Sequence, residues 1–540
     1  MGPLISRRGL LRASAGAAAG LALASCGDGG PAIPLTGGAK ADLPDYVPYQ
    51  GVAPDLAGTK SGVLNGYRHY PAEPAPAFPD GPPAKGPGVS VMTLTFNPVP
   101  PPPGRNPYWR ALNEQLGTDL DIEIVPVADY PSKFSVVVAG GDLPDAMLVL
   151  PTASQQPAMF NALFEDLTEH LSGAAIREYP YLANIPTDAW RWTVRNGGIY
   201  ALPMPRANAG SIMFYRSDRF KERRLDPHPA DFKEFRQLCK DVSDPRHSRY
   251  ALGDPLTTCY FVMEMLGGAN MWREENGRFT YWLETEEVRE ALDAVRTLTK
   301  EQLLHPDAYS VVGKFKDWFG NGQIALHYDG NAGWNDFYRQ YARNNKGLEI
   351  DGMLAPGFGG GEGSHWAGYS SFAVLALKKA PASRIRQILR LANAMAAPFG
   401  TDAYKLRKYG LKGHDHTLRG TDPILTPDGT TETALPTGFV TDAPLSLYFP
   451  ERPDVVDRQH SFQRRTADVL VRNPTEGIYS ETAAKASGGL QLKTDDAIKG
   501  IMQGRNPLSS LDETVRLWRR EGGDRMRAEY EKAWAAGPHA

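Results

Sequence analysis

The chain has 540 residues, 41% of them hydrophobic and 22% charged, a balance that suits a globular protein with core enough for two or more domains. A formal net charge of −3 excludes a general polyanion binder, and three cysteines exclude a small disulfide-stapled scaffold.

Residues 1–25 read as an export signal. Arg7, Arg8 and Arg12 make a basic start, and Ala13–Ser25 carries no charge. That run is shorter than the roughly 20 apolar residues a membrane span needs, and it ends in small residues, as secretory signals do. Arg7-Arg8, followed by Gly9-Leu10-Leu11, looks like a twin-arginine signal, the route for folded cargo. Leu23-Ala24-Ser25-Cys26 resembles a bacterial lipobox, which makes Cys26 the lipidated first residue of the mature chain. Residues 26–87 are rich in Pro, Gly and Ala, bury little apolar surface, and read as a tether partly laid on the body.

The folded part opens with an apolar run of strand length, Val89–Phe96. A proline-rich loop (98–107), a helix (107–117), a strand (120–127), a helix (129–140) and a strand (146–150) follow. Strands alternating with helices predict an α/β fold with a mostly parallel sheet. Val288, Ala291, Leu292, Val295 and Leu298 recur at helical spacing, as do Ile385, Ile388, Leu389, Ala392 and Met395. Phe372–Leu377 reads as a buried strand. Ser510 and Glu513 have capping-box spacing for a helix that stops at Gly522-Gly523, and Asp524 opens a last helix. Residues 413–460 are loop-rich and carry no clear periodicity. Cys239 and Cys259 are expected as buried free thiols, with pairing as the alternative in an oxidising compartment.

The sequence holds no G-x-S-x-G elbow, no G-x-x-x-x-G-K-[ST] phosphate loop and no H-E-x-x-H. His414-Asp-His416 lacks a third ligand at a known spacing and reads as a solvated loop, so no metal and no cofactor are expected. Aromatic residues cluster instead in polar, loop-like contexts: WRW (190–192), HYDGNAGWNDFY (327–338) and SHWAGYSS (364–371). Flat apolar faces beside Asp, Asn, His and Arg suit sugar rings, which offer C–H faces to stack and hydroxyls to hydrogen-bond.

Five segments in chain order then resemble one family, the extracellular solute-binding proteins that serve ABC importers. They are GDLPDAML (141–148), Gly197–Pro203, Ile212–Asp218, Phe319–Leu326, and Ile501–Gly504 with Gly522–Asp524 and Glu529-Tyr530. The last resembles the long, lipoprotein-type sugar-binding subgroup that includes alginate-oligosaccharide binders. The resemblance implies two α/β lobes joined by hinge strands, with an interlobe ligand cleft. It implies lobe crossings near Ser211–Tyr215 and Met353–Pro356. The first lobe would comprise 88–212 and 357–400, the second 213–356 and 401–540. Ligand-facing positions carried over from its motifs are Thr152 and Ser154, beyond a strand's carboxyl end, then Arg206, Tyr215, Asp329, Trp334, His365, Trp366 and Tyr369. Alginate-type relatives carry a calcium loop where this chain has Asp244–Tyr250. That stretch lacks the run of oxygen ligands calcium needs, so calcium is not expected there.

The combined reading is a lipid-anchored, non-enzymatic binding protein on the outer face of the cell membrane. It would act as a monomer, capture a carbohydrate by closing its lobes, and deliver it to ABC-importer permease subunits, with no nucleic-acid partner. The alternatives are an exported carbohydrate-active enzyme and a sugar sensor without transport.

Overall fold

The computed structural model describes residues 41–311 and 313–537. The export signal with Arg7 and Arg8, and the lipidation residue Cys26, lie outside the described residues.

The first sheet is assembled from β1 (Val89–Thr95), α1 (Pro107–Leu116), β2 (Leu120–Pro126), α2 (Tyr130–Gly140), β3 (Ala146–Val149), α3 (Gln156–Leu163) and β4 (Ala201–Pro205). Local chemistry sets these elements. Asn106 accepts the Trp109 amide at 2.9 Å, Pro107 fits the first turn, and Gly117 closes α1 in the left-handed region. β1 pairs in parallel with β2 and β3.

The chain then passes to a second sheet. Its strands and the helices around them are β5 (Ser211–Arg216), α4 (Pro255–Met265), α5 (Glu286–Lys300), β6 (Leu326–Gly330), α6 (Gly333–Tyr341) and β7 (Ile350–Met353). β5 lies between β6 and β7, antiparallel to both. Alternation along β5 sends Ile212 and Phe214 into one apolar cluster and Met213 and Tyr215 into another. Both faces of the strand are therefore covered, which is why its middle, Ile212–Phe214, is apolar.

The return strand β8 (Ser371–Leu377) inserts between β3 and β4, antiparallel to both, so the first sheet runs β2-β1-β3-β8-β4. It is mixed rather than mostly parallel, because β8 and β4 arrive from and leave for the other lobe. After β8 come α7 (Ala382–Met395), α8 (Asp402–Tyr409), α9 (Pro427–Glu432), α10 (Pro453–Thr466), α11 (Glu481–Gln503), α12 (Leu511–Trp518) and α13 (Asp524–Ala536).

The segment after residue 400 packs against both sheets. Ala403, Leu435 and Val440 belong to the first-sheet core, and Tyr108 of α1 donates its hydroxyl to the Arg407 carbonyl at 2.8 Å. Phe449, Val455 and Phe462 pack with Phe214 of β5, and α11–α13 cover α4 and α5. A third crossing therefore falls at 441–446.

The Pro/Gly-rich N-terminal stretch is laid on the body from residue 41 onward. Gly66–Tyr67 pairs with Leu447–Tyr448, and Tyr70 is buried with its hydroxyl on the Thr401 carbonyl at 2.7 Å. Cys239 and Cys259 are free and buried. Ser510 does not cap α12: a short helical turn over Leu508–Ser510 precedes the helix, and the Ser510 hydroxyl donates to the Pro507 carbonyl at 2.7 Å. Among the described residues no helix is long and apolar enough to cross a membrane.

Candidate ligand-binding cleft

Two crossing segments run side by side between the sheets. Arg206 N–H bonds to the Ser370 carbonyl at 2.9 Å, and Gly368 N–H to the Asn208 carbonyl at 3.1 Å. Gly210 is required here. Its φ is +59°, and a Cβ would stand 2.0 Å from the Trp366 carbonyl oxygen.

Against these crossings lies a cavity of about 1130 Å³ with walls from both lobes. The first lobe supplies Thr152, Gln156, Arg206 and Phe372; the second supplies Tyr328, Asn331, Asn335 and Arg339. The C-terminal part adds Glu476 and Tyr479. A cavity of this size, walled by aromatic rings and a few polar groups, suits a ligand larger than one sugar ring.

Of the residues the sequence pointed to, the structure places Thr152, Arg206, Trp366 and Tyr369 on this wall. Arg206 lies over the rings of Phe372 and Phe439, 5.1 and 5.8 Å from their centroids. Burial pulls its pKa down, and Asp442 partly restores it. Trp366 is nearly covered, with its indole N–H on the Gly268 carbonyl at 3.0 Å. Tyr369 is 47% exposed and meets Trp192 edge to face at 5.5 Å. Ser154 lines a smaller neighbouring cavity of about 440 Å³, which Thr152 also borders.

The other four turn away, each for a geometric reason. Tyr215 faces the cluster on the inner side of β5, packed against Phe220. Asp329 pairs with Lys316 at 2.9 Å, while the preceding residue, Tyr328, reaches the cavity. Trp334 is fully buried, edge-on to Phe214 at 5.4 Å. On α6 the core face is Trp334, Phe337 and Tyr338, so the cavity receives Asn335, Asp336 and Arg339. His365 is buried with Nε2 2.6 Å from the Ala209 carbonyl oxygen, and burial brings its pKa down to about 4.

Sequence reasoning missed Gln156, Asn331, Asn335, Asp336, Arg339 and Glu476. The i, i+4 spacing of Asn335 and Arg339 on α6, with Asn331 in the turn before it, was a usable signal, since it marks one polar side. Glu476 had none: it belongs to a loop that reaches the cleft only through tertiary folding. It accepts from Trp192 Nε1 (3.2 Å) and from the Ser370 amide and hydroxyl (2.5 and 2.6 Å).

Beneath the cavity, Glu264 of α4 links three elements. Its Oε1 accepts from the Trp366 amide at 2.7 Å and the Tyr328 hydroxyl at 3.1 Å, and His365 Nδ1 lies 3.5 Å away. Burial pushes its pKa up to about 8. Asp442 anchors the third crossing. Burial raises its pKa, but Arg407 and Lys408, each at 2.7 Å, more than offset this and hold it at about 2.

Two mixed or antiparallel sheets, three crossings and a cavity walled from both sides define a two-lobed binding fold of the periplasmic-binding-protein kind. Residues 109–404 match the family of bacterial extracellular solute-binding proteins, and the chain belongs to that family. Among curated relatives it is similar to the polygalacturonan/rhamnogalacturonan-binding protein YtcQ of Bacillus subtilis (strain 168). The two are 22% identical over 470 residues, which covers 83% of this chain and 91% of that one. Lipoprotein LipO of the same organism is 21% identical over 477 residues, covering 83% of this chain and 92% of LipO. Among solved structures, that of the alginate-binding protein AlgQ2 without calcium ion superposes with a TM-score of 0.57 at 14% identity, covering 84% of this chain and 98% of that one.

Proposed function

We propose that this protein captures a carbohydrate, specifically an oligosaccharide, between its lobes and presents it to the permease of an ABC importer. The observation that carries this reading is the cavity itself: about 1130 Å³, walled by both lobes, with aromatic faces beside Asn, Gln, Arg and carboxylate groups. The names of YtcQ and AlgQ2, which specify polysaccharide binding, support the ligand class. Contacts made to both walls at once favour the closed arrangement of the lobes, which is how a ligand would signal its presence to a permease without any bond being broken.

Within this reading Thr152, Arg206, Trp366 and Tyr369 contact the ligand with Asn331, Asn335 and Arg339. Tyr369 offers a stacking face, and Arg206 and the asparagines offer donors to hydroxyls. The first lobe would comprise 88–205 and 371–440 and the second 211–353 and 447–537, with the N-terminal strap lying across both. Export by the twin-arginine route and lipid attachment at Cys26 would hold a monomer at the outer face of the membrane. The name of LipO supports the anchor, and residues 27–40 leave chain between Cys26 and the body.

The test is isothermal titration against a panel of uronic-acid and neutral oligosaccharides. One-to-one saturable binding to at least one member is expected. Tyr369→Ala and Arg206→Ala should each weaken it by about tenfold or more, the scale of one lost stacking or charged contact. No heat with any sugar, or affinities unchanged in both variants, would contradict the assignment.

A further inference from the structure

The stretch His414-Asp415-His416 is not a solvated loop. Asp415 is 0% exposed and His416 2%, and only His414 reaches solvent. The turn after α8 folds back on α9. Asp415 Oδ2 takes the Leu411 amide at 2.7 Å, and the Asp415 carbonyl takes the Thr426 amide at 2.8 Å. Gly429 approaches so closely that a Cβ there would stand 1.9 Å from the Asp415 carbonyl oxygen. Glu432, the last residue of α9, is held in turn through its carbonyl, which accepts from Asn106 Nδ2 at 3.2 Å.

This packing brings together three ligand types from two elements. His414 Nε2 is 3.1 Å from Glu432 Oε1 and 4.0 Å from Asp415 Oδ1, and the three ligand atoms all lie within 4.8 Å of one another. Two further atoms remain after the His414–Glu432 pair is formed. Asp415 Oδ1 and Glu432 Oε2 are buried and have no hydrogen-bond partner among the described residues. Burying two carboxylates against one imidazole, with only the His414 edge open to solvent, leaves net negative charge that is costly without a cation. Ligand atoms about 2.1 Å from a tetrahedral ion stand about 3.4 Å apart, between the two distances measured from His414 Nε2.

We propose that His414, Asp415 and Glu432 form a structural site for a divalent transition cation of the Zn²⁺ or Mn²⁺ class. One imidazole with two carboxylates suits these ions better than calcium, which takes six or more oxygens. The exposed side of His414 is the entry path. None of the three residues lines the interlobe cavity, so the ion would fasten the turn after α8 to α9 rather than contact the ligand. The site is separate from the Asp244 loop, where the carboxylate is taken by His247 at 2.7 Å.

The experiment uses the full mature chain without a polyhistidine tag, stripped by chelator and titrated with ZnCl₂, MnCl₂ and CaCl₂ by calorimetry, with metal content and thermal unfolding measured in parallel. We expect one Zn²⁺ or Mn²⁺ per chain, a rise in Tm on loading, and at least about tenfold weaker binding in His414→Ala and Glu432→Gln. His414 is partly exposed, so His414→Ala decides the matter even if the buried variant fails to fold. The absence of one-to-one uptake of either transition ion, uptake of calcium alone, or undiminished binding in His414→Ala would overturn the proposal.

Discussion

Trp334 and Tyr369 show how one position decides the role of an aromatic side chain. Trp334 starts α6 on its core face and is wholly enclosed by Phe214, Phe462 and their neighbours. Trp334→Ala should therefore cost about 3–5 kcal/mol of stability, the usual scale for a large buried aromatic. Denaturant unfolding will read this, and a loss under about 1 kcal/mol would mean the ring is not core. Tyr369, half exposed on the wall, should show the reverse pattern in Tyr369→Ala: little change in unfolding and a large change in sugar affinity. Three residues the sequence pointed to stand one position from a residue that lines the cavity: Asp329 beside Tyr328, Trp334 beside Asn335, and His365 beside Trp366, which was also expected. On β6 the reason is the period of 2, and on α6 it is the period of 3.6. Composition identifies a loop that reaches a cleft; only backbone phase decides which neighbour enters it.

At the scale of elements, the α4, β6 and crossing segments meet at Glu264. Its carboxyl ordinarily titrates near 4.5 and in the fold is raised to about 8 by burial. Between those values the folded chain keeps a proton that the unfolded chain releases. The stability contributed by this group is thus complete below about pH 4.5 and declines as pH rises through about 8. Glu264→Gln keeps an acceptor for the Trp366 amide and the Tyr328 hydroxyl but cannot ionise. Its stability should vary less with pH between 5 and 8 than the parent's, and should exceed the parent's at pH 9 relative to pH 5. Parallel slopes for the two proteins in urea titrations across this range would show that Glu264 is ionised in the fold. Nothing in the sequence marked this group. Glu264 sits in an apolar helix, and its partners Trp366 and Tyr328 are about 100 and 64 residues away in sequence.

At the scale of the molecule, the α/β alternation before residue 150 was legible because each strand and helix there carries its own period and its own stop signals, such as Asn106 and Gly117 around α1. Which sheet each part of the chain after 400 packs against was not legible. Their destination depends on tertiary contacts, as with Arg407 meeting Tyr108 and Asp442, rather than on local pattern. The Pro/Gly-rich stretch was expected as a tether partly laid on the body; from residue 41 it is held there by residues such as Val47, Arg68 and Tyr70, although its average composition is that of a linker. With three crossings and a cavity between two lobes, the account rests on closure around a ligand. Small-angle X-ray scattering of the mature chain, with and without a saturating amount of the sugar found by titration, tests this most directly. A smaller radius of gyration is expected in the bound state; an unchanged radius at full saturation would contradict closure.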